Sequence, residues 1–440
     1  MSRSHTPWSV AGAAVALAIS TLAISAVAVP VSALCAQSAG DTTLTLAGAL
    51  AHARASSPAL RVIDARRDAA VGRLRETGQF PNPTLEWRRE NLGSPLPPDI
   101  FATLSIPVDI TGRRLALRSA TARGTERASA DAVADRHDTE VRVARAWLRA
   151  ASAHEQRQAA LVNVETLNEI ATVDSVRARE GQVAVGVALR TRLEADRARA
   201  TLAAFDGDAA RALTDLARAL GVSVDALRPV AAISAPPLPP APDTIVSRRV
   251  AARTRPELLA RDAAVREAES RATAEQRGIL SDVQLQGGSK QTSGFLTGQI
   301  GVLVPVPAFH RNDGARQRTR GELAEARAML DETRIGVHAE VLAAQRNYEA
   351  VRSVAREAQS FAARGREIAL ITRTAYREGH ATLSELLEAE RAAAEATSAR
   401  LRWLTDAWLA RLELERALGA RLDADSLLDL PLLASIPMEP

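Results

Sequence analysis

Residues 102–110 read Ala102-Thr103-Leu104-Ser105-Ile106-Pro107-Val108-Asp109-Ile110. The even positions Leu104, Ile106, Val108 and Ile110 are apolar, and the odd positions are polar or proline. A period of two puts alternate side chains on opposite faces of a strand. Just upstream, Leu85 and Trp87 alternate with Glu86 and Arg88. Two further segments do the same: Val283 and Leu285 against Asp282, Gln284 and Gln286, then Ile300, Val302, Val304 and Val306 against Gln299, Gly301, Leu303 and Pro305. The chain therefore carries two strand pairs, each with one apolar and one mostly polar face. Such a face is either half of an ordinary core or the lipid side of a membrane barrel.

Outward from each strand pair runs a very long helical stretch. It starts near Gly112 or Gly314 and reaches Gly181 or Gly379 without a proline. That is about 65–70 residues, on the order of 100 Å at ~1.5 Å per residue. A return helix follows, ending at Gly221 or Gly419. Gly181 and Gly379 suit tight helix–helix turns, where a positive φ costs little only for glycine. An opening helix is expected before each strand pair, over 44–78 and 244–279. Leu401, Leu404, Trp408 and Leu412 recur at three-to-four spacing, with alanines on other sides. Apolar residues on more than one face predict neighbours on both sides of each helix.

These units are copies. Pro58, Pro107, Gly181 and Gly221 are matched by Pro256, Pro305, Gly379 and Gly419, each 198 positions later. Their surroundings match too, as in Arg218-Ala219-Leu220-Gly221 and Arg416-Ala417-Leu418-Gly419. A fixed offset is the mark of duplication. The run Ile233-Ser234-Ala235-Pro236-Pro237-Leu238-Pro239-Pro240-Ala241-Pro242 separates the copies and reads as an extended linker. The domains are thus a first copy at 41–229, a linker at 230–242, a second copy at 243–428 and a tail at 429–440.

The N-terminus has its own logic. Arg3 and His5 precede an uncharged apolar stretch at 10–29, then Pro30 and small residues up to Ala36. This order is that of a secretory signal peptide over 1–36, cleaved after Ala36. The alternative is lipid attachment at Cys35, the only cysteine, although Leu34 stands where a lipoprotein signal has a small residue. One cysteine leaves no disulfide frame and no thiolate metal site.

Composition narrows the function further. Aromatic residues are 3% of 440 while the apolar set is 46%, so alanine, leucine and valine supply the packing surface. That suits close helix packing. Lys+Arg total 56 and Asp+Glu 52, interspersed along helices. No basic run with interleaved aromatics points to nucleic acid. The histidines at 52, 137, 154, 310, 338 and 380 form no metal-ligand spacing. His380, at a turn, reads as a solvated side chain. No phosphate loop or nucleophile motif suggests an enzyme or a cofactor.

Four strands cannot close a barrel, since about eight is the practical minimum. An open edge in lipid leaves backbone groups unpaired at several kcal/mol each. If the strands lie in a membrane, several chains must share one barrel.

Over about 44–420 the sequence resembles the TolC family of outer-membrane efflux proteins. The resemblance rests on the duplication, on Ser57-Pro58-Ala59-Leu60, and on the glycine turns followed by Val187-Ala188-Leu189 and Glu385-Leu386-Leu387-Glu388-Ala389. It implies a mainly helical fold with a small β part: a homotrimeric tube of helical hairpins in the periplasm joined to a shared twelve-stranded barrel in outer-membrane lipid. It also implies a passive duct served by a periplasmic adaptor and an inner-membrane transporter. Asn82-Pro83-Thr84-Leu85, Ile110-Thr111-Gly112-Arg113-Arg114 and Pro305-Val306-Pro307-Ala308-Phe309-His310-Arg311-Asn312-Asp313-Gly314 resemble the heavy-metal efflux branch, which implies a resistance–nodulation–division transporter and metal cations as cargo. The adaptor-docking tips carried over are Arg179, Gly181, Val183, Arg377, Gly379 and Thr382. The pore constriction carried over is Glu385 and Glu388, which share a helix face at i, i+3. Val187 and Ala381 depart from the pattern, so the family's inter-chain latch is in doubt here.

Other classes compete. A periplasmic adaptor has a single hairpin beside a split β-domain, whereas here hairpin and strands repeat together. A coiled-coil scaffold has no need of the alternating segments. A duct of the same family could instead serve drug efflux or type I secretion.

Overall fold

The computed structural model describes residues 43–440 apart from 91, 93–97, 235–237, 279–282, 293, 307, 310, 424–427, 429 and 437–440. The expected signal segment with Cys35 lies outside the described residues, as do Asp282, Pro307, His310, Ala235-Pro236-Pro237 of the linker and 429 and 437–440 of the tail.

The first copy folds as α1 (Leu46–Ser56), α2 (Pro58–Gly78), β1 (Thr84–Glu90), β2 (Asp99–Val108), α3 (Arg113–Arg179) and α4 (Val185–Leu220). The second repeats it as α5 (Thr244–Thr254), α6 (Pro256–Gln276), β3 (Val283–Thr292), β4 (Phe295–Leu303), α7 (Asp313–Arg377) and α8 (Leu383–Leu418). Each opening helix, expected as one, is broken in two. Ser57 and Arg255 take extended ψ values of 127° and 116° because the following proline disfavours a helical conformation in the residue before it. Pro58 and Pro256 then start α2 and α6, where a missing N–H costs nothing.

The long helices have 67 and 65 residues and the return helices 36 each. Helix α3 packs on α4, α2, α6 and α8, and α7 packs on α8 and α6. The helices thus line up as α4–α3–α8–α7 towards the turns and as α2–α3–α6–α7 towards the strands. Two apolar cores lie where the opening and return helices overlap. One gathers Leu50, Val143, Leu148 and Leu216; its counterpart gathers Val250, Val341, Tyr348 and Leu414.

The strands form one antiparallel sheet in the order β1-β2-β3-β4. The central pairing, Leu104↔Gly287 and Ile106↔Leu285, joins the two copies. Strand β3 runs on to Thr292, beyond the alternation visible at Val283–Gln286, because β2 continues beside it as far as Ile100↔Gln291. Strand β4 stops at Leu303, before Val304 and Val306, where Pro305 lacks an N–H for the ladder.

The described part of the linker is pinned. Gln345, Tyr348 and Arg352, one above another on α7, donate to the carbonyls of Pro242, Pro239 and Leu238 at 2.8, 2.8 and 3.1 Å. Trp408 donates to the Ser234 carbonyl at 2.7 Å. A proline-rich strand has few N–H groups but every carbonyl, so side-chain donors from α7 and α8 hold it.

Candidate functional site: the hairpin turns and the bare sheet face

Both hairpins turn on the same backbone device. Gly181 (φ 73°) and Gly379 (φ 82°) sit one residue past the cap, and the next N–H reaches back into the helix. Gln182 donates to the Arg177 carbonyl and His380 to that of Ala375, each at 2.8 Å. Arg179, Arg377, Gly379 and Thr382 are exposed, as is Gly181, and Val183 is half-buried. The two turns are neighbours: the Arg177 guanidinium donates to the Arg377 carbonyl at 3.0 Å.

Below the turns the hairpins are tied by a pair that sequence reasoning missed. Tyr376 donates its hydroxyl to Asp174 at 2.9 Å, and Asp174 is fully buried. Burial, and then the Asp174 carboxylate, push the Tyr376 phenol up to about 12. The other Asp174 oxygen is buried without a hydrogen bond. Arg391 of α8 forms an ion pair with Glu194 of α4 at 2.6 Å. Leu386 and Leu387 pack with Val164, Leu167 and Ile170 of α3. The available signal was only that Tyr376 is one of two tyrosines in the chain.

Glu385 and Glu388 are both exposed on the first turns of α8. Glu385 has a second task. Its carboxylate accepts the Thr382 backbone N–H at 2.7 Å, and the Glu385 N–H donates to the Thr382 hydroxyl at 3.3 Å, closing a capping box. The Thr382 bonds hold its pKa below the usual carboxylate range. In the first copy Ala184 and Val187 occupy the corresponding positions, and α4 has no side-chain cap. Cap and carboxylate therefore differ together between the copies. Glu388 carries no ion pair among the described residues.

At the other end the sheet has two unlike faces. Leu85, Trp87, Leu104, Ile106, Leu285, Ile300 and Val302 share one face by register and are all exposed, Ile300 at 89%. The opposite face bonds to itself: Gln299 donates to Thr103 at 2.8 Å and Gln286 to Ser105 at 3.3 Å. Lys290 and Arg88 lie over the Phe101 ring. Among the described residues, strands β1 and β4 each have a free edge. Strand β1 follows α2 and β4 precedes α7, so sheet and helices are open on the same two flanks. No helix among the described residues is long and apolar enough to cross a membrane.

Residues 98–222, which span β2, α3 and α4, match the family model described as Outer membrane efflux protein. The chain is similar to Protein CyaE of Bordetella pertussis, 29% identical over 266 residues; the match covers 56% of this chain and about half, 54%, of that protein. Its fold is that of the outer membrane protein VceC of Vibrio cholerae, with TM-score 0.69 at 19% identity, covering 86% of this chain and 97% of VceC. It is also that of the CmeC outer membrane channel of Campylobacter jejuni, with TM-score 0.72 at 16% identity and 85% of each chain covered.

Proposed function

We propose that this chain is one subunit of an outer-membrane efflux channel, a passive duct whose sheet lies in the membrane and whose hairpins reach into the periplasm. One observation carries the reading: an antiparallel sheet with a bare apolar face and two open edges stands at the end of two long helical hairpins. Strands β2, β3 and β4 have 10, 10 and 9 residues, the length that a tilted strand needs to cross a bilayer. An apolar sheet face in water and unpaired edges in lipid are both costly, and assembly inside a membrane relieves both.

Three copies, β1 of one beside β4 of the next, give a closed barrel of twelve strands. The helix flanks support the same arrangement. Val185, Leu189 and Leu193 stand exposed at four-residue spacing on α4, and Phe361, Ile368 and Ile371 stand exposed on α7. Contact of unlike flanks is head-to-tail, and it closes when the rotation is one third of a turn.

The turns with Arg179, Gly181, Val183, Arg377, Gly379 and Thr382 then dock a periplasmic adaptor, and an inner-membrane transporter of the resistance–nodulation–division type supplies energy. Glu385 and Glu388 set the charge at the periplasmic mouth, and the Asp174–Tyr376 bond holds the hairpins together there. Metal cations as cargo rest on the junction resemblance at 82–85, 110–114 and 305–314.

The test is fractionation followed by conductance. The processed chain is expected in the outer membrane, extractable only with detergent, trimeric by light scattering, and conducting in planar bilayers. Recovery as a soluble periplasmic protein would sink the reading. For the cargo, loss of the chain is expected to lower tolerance to divalent or monovalent transition metals; unchanged tolerance removes that part.

A further inference from the structure

We propose that the groove between the end of α2 and the start of α3 holds the phosphate of an anionic phospholipid from the inner leaflet of the outer membrane. The groove is lined by Leu74, Arg75, Gly78, Leu115, Arg118 and Ala122, among others, and no carboxylate lines it. Arg75 and Arg118 are exposed, and neither forms an ion pair among the described residues. Further along α3, by contrast, Arg123 and Arg127 are matched with acids, Glu126 and Asp131. Gly78 lies beside the Arg118 guanidinium, which a Cβ added there would meet at an ordinary contact distance of 3.8 Å. The Gly78 carbonyl is already bonded to Arg114 at 2.9 Å, so it does not need Arg75 or Arg118.

The duplication supplies an internal control. Helices α3 and α7 both begin after a left-handed residue, Gly112 and Asn312; two extra residues between Pro305 and Asn312 make the offset 200 at these starts, which aligns Arg118 with Arg318 and Ala122 with Glu322. In the second copy Arg318 is paired with Glu322 at 2.7 Å. In the first copy the carboxylate position is alanine. Arg75 aligns with Thr273, counting from Pro58 and Pro256. Counted from the helix starts, the first copy has alanine where the second has the neutralising acid, and Arg75 where the second has Thr273. A pair of guanidinium groups suits a phosphate, which they bind by parallel hydrogen bonds.

The position favours a lipid over a free anion. The proposal rests on the membrane reading of the sheet. Strand β2 ends at Val108, Ile110 continues its apolar parity, and Ile110, Leu115 and Phe80 are exposed at 60, 71 and 80%. The Arg114 guanidinium covers the Phe80 ring at 3.4 Å. Arg118 lies five residues into α3, about 8 Å along the axis at ~1.5 Å per residue. The headgroup layer beyond the hydrocarbon is roughly 5–8 Å thick. Apolar side chains at the level of the acyl boundary, with paired cations one headgroup deeper, match a phospholipid in outline and charge.

The test uses the full chain purified in mild detergent, with bound lipid read by native mass spectrometry after titration with phosphatidylglycerol or phosphatidylcholine. Phosphatidylglycerol is expected to be retained in preference. Ala122→Glu, which installs the second copy's ion pair, is expected to lower that retention about fivefold, the effect of one cation at an anionic surface, and the Arg75→Gln/Arg118→Gln pair more. Equal retention of the two lipids, or no change in Ala122→Glu, overturns the proposal. Full competition by millimolar inorganic phosphate would make it a free-anion site, and dissociation of the oligomer by Ala122→Glu without added lipid would assign the groove to a second copy; either result also overturns it. Outer-membrane fractionation of the same variants separates this failure from failure of the channel reading.

Discussion

Gly221 closes α4 directly against Pro58: a Cβ added at Gly221 would stand 2.3 Å from the proline Cδ. Gly419 closes α8 against the same break in the second copy, where its Cβ would meet the Thr254 carbonyl carbon at 2.9 Å. In both copies the glycine that ends the return helix thus packs at the break of the opening helix, against the proline itself in the first and against the two residues before it in the second. Both glycines also hold positive φ, 74° and 63°.

Gly221→Ala is expected to be destabilising by about 2–4 kcal/mol, from left-handed strain and overpacking together. Gly186→Ala, within α4 where nothing stands within 4 Å, is expected to be neutral or stabilising by about 0.5–1 kcal/mol. Denaturation midpoints of the two variants check both. Equal midpoints would show that the Gly221–Pro58 approach carries no energy.

The sheet faces predict opposite responses to one substitution. Ile300→Arg places a charge on the bare apolar face and is expected to cost about 2–4 kcal/mol if it lies near the bilayer midplane. Thr297→Arg lies on the self-bonded face beside Lys290 and is expected to assemble normally. The yield of detergent-extracted oligomer reads the difference.

Tyr376→Phe leaves both oxygens of buried Asp174 without a partner, at a cost of about 1–3 kcal/mol. It is expected to raise the open fraction of single channels. Wild type should reproduce this in alkali. The folded pKa of Tyr376 is raised, so the contribution is complete below pH 10 and fades as pH rises through about 12. A conductance that ignores both changes would exclude the pair as a latch.

Glu413 predicts loss of stability in acid. Burial alone would raise its pKa, but hydrogen bonds and charge from Arg416, then Arg145, outweigh burial and lower it. The contribution is present above the unfolded value of about 4.3 and is lost as pH falls through the lower folded value. Thermal midpoints taken from pH 7 to pH 3 should fall more steeply in wild type than in Glu413→Gln.

Thr382 and Glu385 can be separated by function. Thr382→Ala removes the capping hydroxyl and is expected to cost about 1 kcal/mol without altering ion preference. Glu385→Gln with Glu388→Gln is expected to reduce cation selectivity in planar bilayers. Unchanged selectivity would leave Glu385 with its cap alone.

What the sequence by itself determined is local or repeated. The two-residue period in 102–110 and 300–306 marks strands, the proline-free runs mark long helices, and the offset of 198 marks two copies. The count of four strands then requires company in any membrane. The first two depend on spacing within a single element, where chain geometry is fixed by the backbone, and the third on comparing the chain with itself. Only the tertiary structure decided which distant residues meet. The break at Ser57 is written locally in Pro58, which disfavours a helical residue before it, although helical sequence resumes on both sides. The Thr382–Glu385 box is readable as a local motif, a threonine three residues before a glutamate at a helix start. Asp174 and Tyr376 lie 202 residues apart, and no periodicity connects them. The groove at Arg75 and Arg118 emerges only when α2 is laid on α3, because an arginine's partner is set by packing and not by its place in the chain.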